Sequence, residues 1–587
     1  MSMKYRPAWD PENPFVAVSS GTTHIFKTGT QRSEKPVFVN KTASCRNACP
    51  IGINIPLAIH KASSGDMDGA LGVYLEENPL PGVCGRVCYH PCEKECNRAL
   101  FDEPINLRSF ERFVSDHGRV DIRKGLPLGT RKKSIAVVGS GPAGLSAAYH
   151  LARIGYLVTL LEAQSELGGM LRYGIPPYRL PKSILDKDIQ RILSLGVTVR
   201  TATKVGRDPA WEALKLYDAV FLAVGLQVGK NPFAGKEPND SILTGTEFLR
   251  DPQRWSLEDE NQRVLVIGGG NVAIDVARTL LRLRRGQGRN ITVLCPEQRE
   301  LMPAIPEEIA EALEEGISII NGWAPHGIRP TDSGGISLDL FRAEVKRDTA
   351  TGNLRIVKVG EEARRVPAER VILAVGQGLD AGVLPRELEI KRDKILTNAS
   401  KATSLPSIFA GGDAAGEKAF VADAIASGKK GALAIHLYLE GAVFDDELRD
   451  HQIGQSGSLS FQHFFEKADQ PLYDLRNVVT FEQINTLFFS KKARALPGKL
   501  APDDRKKAFE EVTGGLGAES MEMEWGRCFR CGTCIDCENC IDFCPDMSIL
   551  KDMKAGSYIF NPDYCKGCGM CAVACPRQVI SMKAEHA

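Results

Sequence analysis

Ten of the chain's 17 cysteines lie between Cys528 and Cys575. Eight of these form two runs, Cys534, Cys537, Cys540, Cys544-Pro545 and Cys565, Cys568, Cys571, Cys575-Pro576, each spaced C-x2-C-x2-C-x3-C-P. An iron-sulfur cube needs three thiolates from one tight turn and a fourth from a distant strand. A doubled run meets that demand twice when the fourth cysteine of each run serves the other cluster. One 4Fe-4S cluster is then expected on Cys534, Cys537, Cys540 and Cys575, and a second on Cys565, Cys568, Cys571 and Cys544. Zinc knuckles pair two C-x2-C units without the third cysteine and the proline, so the spacing favours iron and sulfur. Cys528 and Cys531, just upstream, are read as thiols flanking the clusters rather than as ligands of a further one.

Six more cysteines, Cys45, Cys49, Cys84, Cys88, Cys92 and Cys96, sit in SCRNACPIGINIP and NPLPGVCGRVCYHPCEKEC. Between them, IPLAIHKASSGDMDGALGVYLEE carries apolar residues at helical spacing broken at Ser63-Ser64-Gly65, which predicts a helical hairpin with ligand loops at its ends. So many thiols in a small helical segment again point to iron and sulfur, although the spacing is less regular and zinc or free thiols stay open.

A chain of 587 residues is too long for one core and implies about three to five domains. A net charge of +1 gives no electrostatic case for nucleic acid. The start, MSMKYRPAWDPENPF, lacks a basic stretch followed by an apolar run, and nowhere do about 18 uncharged apolar residues follow one another. A cytoplasmic protein with no membrane span is expected. In that reducing compartment grouped cysteines are more often metal ligands than bridges.

After a basic link, RKGLPLGTRKK, comes SIAVVGSGPAGLSAAYHLARIGYLVTLLEA. A strand runs into Gly139, Gly141 and Gly144 at G-x-G-x-x-G spacing, then a helix, then a second strand ending at Glu162. The first glycine allows the tight turn, the second lets backbone approach a pyrophosphate, and the third lets helix pack on strand. Glu162 stands where a carboxylate accepts from a ribose hydroxyl, with the phosphates on the helix N-terminus. A second copy, RVLVIGGGNVAIDVARTLLRL, places Gly268, Gly270 and Ala273 at the same positions, so two dinucleotides are expected. At the end of its next strand Glu297 is the candidate ribose carboxylate and favours NAD(H). Arg282, Arg284, Arg285, Arg289 and Arg299 are near enough in sequence to bind a 2′-phosphate instead, but a solvated basic helix end is the preferred reading. ERVILAVG echoes DAVFLAVG, and both read as sheet edges where the chain crosses between two nucleotide folds. In SIFAGGDAAG, Asp413 follows an apolar strand and suits a polyol hydroxyl beside an anionic flavin edge, or a simple helix cap. FEQINTLFF and DRKKAFEEV are expected to be short helices.

The order of the helical cysteine segment, GSGPAGL, GGMLRYGIPPYRLPK, GGGNVAIDVAR and FAGGDAA is similar to the small subunit of glutamate synthase and flavoproteins like it, over roughly residues 40–440. The resemblance implies FAD on Gly139, Gly141, Gly144, Glu162 and Asp413, with Gly169, Met170, Leu171 and Arg172 lining the flavin. It also implies a nicotinamide nucleotide on Gly268, Gly270, Asn271 and Ala273. Where family members that use NADPH carry a tyrosine and two arginines, this chain has Cys295, Pro296 and Glu297, which strengthens NADH. The family's extra C-x2-C before Cys45 is absent. By the same match Cys49, Cys88, Cys92 and Glu111 make one N-terminal cluster, leaving Cys45, Cys96 and Cys84 as a partial second site, so one or two clusters are expected there. The C-terminal module resembles a bacterial ferredoxin, an extension seen in flavoprotein subunits that connect NAD to other iron-sulfur enzymes.

The expected fold class is multidomain α/β. An extended arm (1–40) precedes an α-helical iron-sulfur domain (41–125). Two Rossmann-like domains follow, one for FAD (130–245 and 365–443) and one for NAD(H) (246–364), then a linker (444–526) and an α+β ferredoxin-like domain (527–587). Hydride transfer from NADH to FAD needs no titratable side chain, so no catalytic residue is assigned. No cysteine pair adjoins the FAD motifs, which argues against disulfide reductase chemistry. The expected function is an electron-transfer flavoprotein subunit between NAD(H) and a partner such as a 2-oxoacid or aldehyde oxidoreductase, in a hetero-oligomer. A stand-alone reductase of soluble ferredoxin and a glutamate synthase small subunit are the alternatives.

Overall fold

The computed structural model describes residues 27–206, 210–233, 241–255, 259–331, 335–347, 354–416, 418–465, 473–552 and 557–585. Most of the expected N-terminal arm and residues 466–472 of the expected linker therefore lie outside the described residues.

Two parallel five-stranded sheets organise the middle of the chain. The first has the order Ile408–Ala410, Ala219–Leu222, Ser134–Val138, Leu157–Leu161, Thr198–Arg200. Its inner strands are apolar without alternation because both faces are covered, one by the packed helices Pro142–Ile154 and Val421–Glu440. The second has the order Ser318–Asn321, Ile291–Cys295, Val264–Ile267, Arg370–Leu373, Ile242–Thr244. Helix Asn271–Leu283 packs on one of its faces. The antiparallel sheet Trp323–Pro330, Ile336–Arg347, Leu354–Ala368 places Ile336, Leu338 and Leu340 on the other.

Two expectations are corrected here. Neither DAVFLAVG nor ERVILAVG is a sheet edge: Ala219–Leu222 and Arg370–Leu373 each have a parallel strand on both sides. A short run buried on both faces is what an inner parallel strand requires. The boundaries 246 and 365 also move, because Ile242–Thr244 and Arg370–Leu373 both belong to the second sheet. The two crossings do lie side by side, as an antiparallel ribbon of Val228–Gly229 with Gln377–Gly378.

At the N-terminal end, helices Ile55–Ser63 and Met67–Glu77 form the expected hairpin. Asn54 caps the first by accepting from Leu57 N (3.4 Å), and Asp66 caps the second by accepting from Gly69 N (2.7 Å). Helices Pro81–Val87 and Leu107–His117 close this unit. The chain ends meet: Glu34–Phe38 pairs antiparallel with Ile580–Ala584, so part of the expected arm completes a strand pair with the C-terminal unit. Arg32 clamps Glu585 with two 2.8 Å bonds beside this pair. Asn40–Ala43 pairs parallel with Tyr473–Val479. The expected short helices of the linker shrink. FEQINTLFF forms two 3-10 turns, Phe481–Gln483 and Thr486–Phe488, and DRKKAFEEV keeps one turn, Pro502–Arg505. The second of these segments is tied to the N-terminal unit, where Glu511 pairs with Arg86 (2.9 Å) and Arg112 (2.8 Å). Farther on, the Glu524 carboxylate accepts from Asn106 N and Ala495 N at 2.8 Å each and pairs with Arg527 at 2.8 Å.

Among the described residues no helix is long and apolar enough to cross a membrane.

Candidate redox site

In the first fold, strand Ser134–Val138 delivers Gly139 to φ +99°. A Cβ there would stand 2.4 Å from Ala223 O, so sterics and backbone both demand glycine. Gly141 caps helix Pro142–Ile154, and nothing lies within 4 Å of where its Cβ would be. That open cradle before a helix N-terminus fits a pyrophosphate. Gly144 packs on the turn, its missing Cβ 1.8 Å from Gly139 O. Glu162 is buried and accepts from Ser140 N (3.0 Å) and Gln164 N (2.8 Å), which fixes its carboxylate beside the loop. Gly169 abuts the same loop, a Cβ there falling 2.8 Å from Gly141 Cα. Met170, Leu171 and Arg172 follow in the one-turn helix Met170–Tyr173. Leu171 is core, and the Arg172 guanidinium turns to Leu167 O, Glu166 and Asp186. Asp413 lies in the 3-10 turn Gly412–Ala414, whereas the long helix is capped at Phe420, so Asp413 does not cap that helix. Burial pushes its carboxyl up, opposed by Lys394.

The second fold repeats the first. Gly268 has φ +138°, with its missing Cβ 2.3 Å from Ala374 O, and Gly270 faces open space at the start of helix Asn271–Leu283. Ala273 is fully buried. The Asn271 carboxamide oxygen accepts from Ile305 N (2.8 Å), so this residue braces the Met302–Ile305 loop. Glu297 Oε2 is buried without a hydrogen-bond partner and points at the glycine turn, 2.7 Å from where a Gly269 Cβ would stand. A buried carboxylate oxygen with no donor, aimed at a nucleotide cradle, fits a ribose hydroxyl. Burial pushes the Glu297 carboxyl up.

The basic helix end is solvated only in part. Arg282 binds Glu315 through two bonds (2.9 and 3.0 Å) and lies 3.8 Å above the Tyr178 ring, while Arg284 donates to Gln262 O. Both are buried. Arg285 and Arg289 are exposed and Arg299 is half-buried.

The GGMLRYGIPPYRLPK segment does more than face the first nucleotide. The Arg278 and Arg282 guanidinium groups lie over the Tyr178 ring, and Arg179 pairs with Asp275 (2.7 Å) and Glu308 (2.9 Å), all four on the second fold. These contacts set how the two nucleotide folds face each other. Arg179 was legible only as part of an ordered motif, because its partners lie about a hundred residues away.

The thiols gather in four groups. Cys534, Cys537, Cys540 and Cys575 face one another, as do Cys565, Cys568, Cys571 and Cys544. A small cavity lies among the second four. The two halves match: Ser548 N donates to Cys544 Sγ (3.3 Å) and Val579 N to Cys575 Sγ (3.4 Å), each four residues on. Such N–H···S bonds tune a cluster's potential. Cys49, Cys84, Cys88, Cys92 and Glu111 form the third group. Glu111 accepts from Asn78 Nδ2 (2.8 Å) and burial raises its pKa to about 8. Beside this group Tyr89 stacks on Phe420 at 4.3 Å and faces both Cys88 and Asp423. Cys45 and Cys96 do not join the third group; they face Cys528 and Cys531. Cys84, by contrast, sits with Cys49 and Cys88 rather than with that pair. All 17 cysteines are free of disulfides. Among the described residues no three His, Cys, Asp or Glu side chains converge on one ion-sized point.

Three family models match parts of the chain. Residues 133–428 match the model for pyridine nucleotide-disulphide oxidoreductases, residues 29–121 that for the dihydropyrimidine dehydrogenase domain II 4Fe-4S cluster, and residues 558–581 that for 4Fe-4S binding domains. The chain is 34% identical over 526 residues to the NADP(+)-dependent formate dehydrogenase subunit beta of Moorella thermoacetica, covering 84% of this chain and 70% of that one. It is 32% identical to the NADPH-Fe(3+) oxidoreductase subunit beta of Geobacter sulfurreducens, covering 84% and 76%. It is also 35% identical over 408 residues to the NAD-dependent dihydropyrimidine dehydrogenase subunit PreT of Escherichia coli, covering 68% and 92%. With its two nucleotide cradles and its grouped thiols, the chain therefore belongs to the pyridine nucleotide-disulphide oxidoreductase family, among the FAD- and NAD(P)-dependent iron-sulfur oxidoreductase subunits.

Proposed function

We propose that this chain carries electrons between NADH and a partner oxidoreductase through FAD and 4Fe-4S clusters. The observation that carries the reading is the combination, in one chain, of two glycine cradles at helix N-termini with thiols gathered in groups, the Cys49 group in the N-terminal unit and the paired sets in the C-terminal unit. FAD is held by Gly139, Gly141, Gly144, Glu162, Gly169 and Asp413, and NADH by Gly268, Gly270, Ala273 and Glu297. Bound flavin converts a two-electron hydride into the single electrons that 4Fe-4S clusters carry. The protein binds and aims: Arg179 and the Val228–Gly229/Gln377–Gly378 ribbon hold the two cradles in register, and burial excludes water.

A partner is supported by the surface of the C-terminal unit. Phe543, Met547, Leu550, Ile559, Met570 and Val573 are exposed there, as are Cys537 and Cys568. Apolar exposure next to cluster ligands suits docking of another redox subunit, such as a 2-oxoacid or aldehyde oxidoreductase, better than a free reductase. The test is the visible spectrum of anaerobically purified protein. Addition of NADH is expected to bleach a flavin band; no flavin band, or no bleaching by either nicotinamide, would sink the reading. NADH is expected to be the better reductant because Glu297 offers a carboxylate to the ribose, and a clear preference for NADPH would show that Glu297 has another role. Glu297→Arg is expected to raise KM for NADH by about 10–100-fold, the cost of one charge-assisted hydrogen bond, and to improve NADPH. An unchanged KM ratio counts against that role.

A further inference from the structure

Cys45 and Cys96 belong to the N-terminal unit, Cys528 and Cys531 to the far end of the chain. Each of the four thiols faces the other three. The neighbouring residues are bonded into one assembly. Ser44 Oγ donates to Asn97 Oδ1 (2.7 Å), and Asn97 Nδ2 donates to Val479 O (2.9 Å) and lies 3.5 Å from Cys531 Sγ. Arg98, two residues after Cys96, donates to the carbonyl of Arg527 (2.8 Å), the residue before Cys528, and both arginines bind Asp102. Lys41 N donates to Gly532 O at 2.7 Å. Phe529 closes the far side against Phe101, Phe481 and Phe489.

We propose that Cys45, Cys96, Cys528 and Cys531 ligate a further 4Fe-4S cluster, built across the two ends of the chain, that connects the N-terminal cluster to the C-terminal pair. Two observations support a cluster over the other fates of four grouped thiols. They form no disulfide. Their surroundings suit a buried anion, because Arg530 N donates to Cys528 Sγ (3.3 Å) and the Arg98, Arg530 and Arg577 guanidinium groups face that thiol. The position is also that of a relay. Cys92 of the neighbouring group faces Cys45, and Arg577 lies between Cys528 and Cys531 on one side and Cys537 and Cys575 on the other. In the relay, which rests on the function proposed above, one electron arrives from the Cys49 group and one leaves to the Cys534 set, with no bond made or broken.

The site is tested by composition, independently of activity. Full-length chain is purified anaerobically, and iron and acid-labile sulfide are measured per FAD in the wild type, in Cys528→Ser/Cys531→Ser and in Cys88→Ser. The double variant is expected to lose about four iron and four sulfide per chain with FAD unchanged. Full retention of iron with FAD unchanged overturns the proposal, and so does zinc present in the wild type and lost in the variant. Iron lost only in Cys88→Ser overturns this site alone, whereas the expected loss without bleaching by nicotinamide sinks only the function. If the double variant loses FAD, Cys531→Asp replaces it, since a carboxylate can still hold iron. One reduced-cluster EPR signal is then expected to shift, and a spectrum identical to wild type overturns the assignment.

Discussion

Gly139→Ala is expected to leave the chain without FAD. The residue sits at φ +99°, where an L side chain carries backbone strain of about 1–3 kcal/mol. Its new Cβ would lie 2.4 Å from Ala223 O, a backbone atom with no rotamer to change. Overpacking of that kind costs about 1–3 kcal/mol more. The whole penalty falls on the turn that sets Gly141 and the helix N-terminus under the pyrophosphate. A loss of roughly 3 kcal/mol in binding corresponds to an FAD affinity lower by about 100-fold. The measurement is the flavin-to-protein ratio after gel filtration, alongside the iron content. Iron is expected to persist, because the thiol groups lie on other elements. Flavin at wild-type stoichiometry in the variant would refute the steric account.

Lys429→Met is expected to destabilise the protein by about 3–5 kcal/mol, the cost of breaking a buried ion pair on one side only. Lys429 is 1% exposed, in the middle of helix Val421–Glu440. Its ammonium donates to Glu77 Oε2 (2.5 Å), Ile51 O (2.5 Å) and Leu459 O (2.6 Å). Glu77 in turn accepts from Ser460 Oγ (2.7 Å) and Phe461 N (2.9 Å). One cation thus ties the flavin fold to the N-terminal helical unit and to the segment after the long helix. Methionine fills the volume but strands a carboxylate in the interior. Calorimetry is expected to show the transition of this unit lower by about 5–15 °C. Adding Glu77→Gln is expected to recover part of the loss by removing the stranded charge. A shift below about 1 kcal/mol would mean that water reaches Glu77.

The chemistry of the site was readable where its residues are close in sequence. A strand, a G-x-G-x-x-G turn, a helix and Glu162 form one local unit, and the structure presents both copies as open cradles. Tertiary packing overrode the reading elsewhere. Arg370–Leu373 looks like an edge until Val264–Ile267 and Ile242–Thr244 are seen on either side of it. Arg282 and Arg284 look solvated until Glu315, Tyr178 and Gln262 O are found around them. Cys528 and Cys531 look like spare thiols because the cysteines they face lie more than 400 residues upstream. The C-x2-C missing in front of Cys45 has a counterpart in space, beside Lys41, from the other end of the chain.

By itself, then, the sequence determined the cofactor classes: two dinucleotides from two glycine turns and paired 4Fe-4S sets from a doubled cysteine run. Both are local patterns, in which the spacing along the chain is the spacing of the ligands. Only the tertiary structure decided how those parts connect. Which fold owns Arg370–Leu373, how Arg179 aligns the two cradles, and which thiols Cys45 and Cys96 meet all depend on contacts between segments far apart in the chain. Such contacts are set by the burial of whole faces and by pairing of buried charges, and they leave no periodic mark on either partner alone.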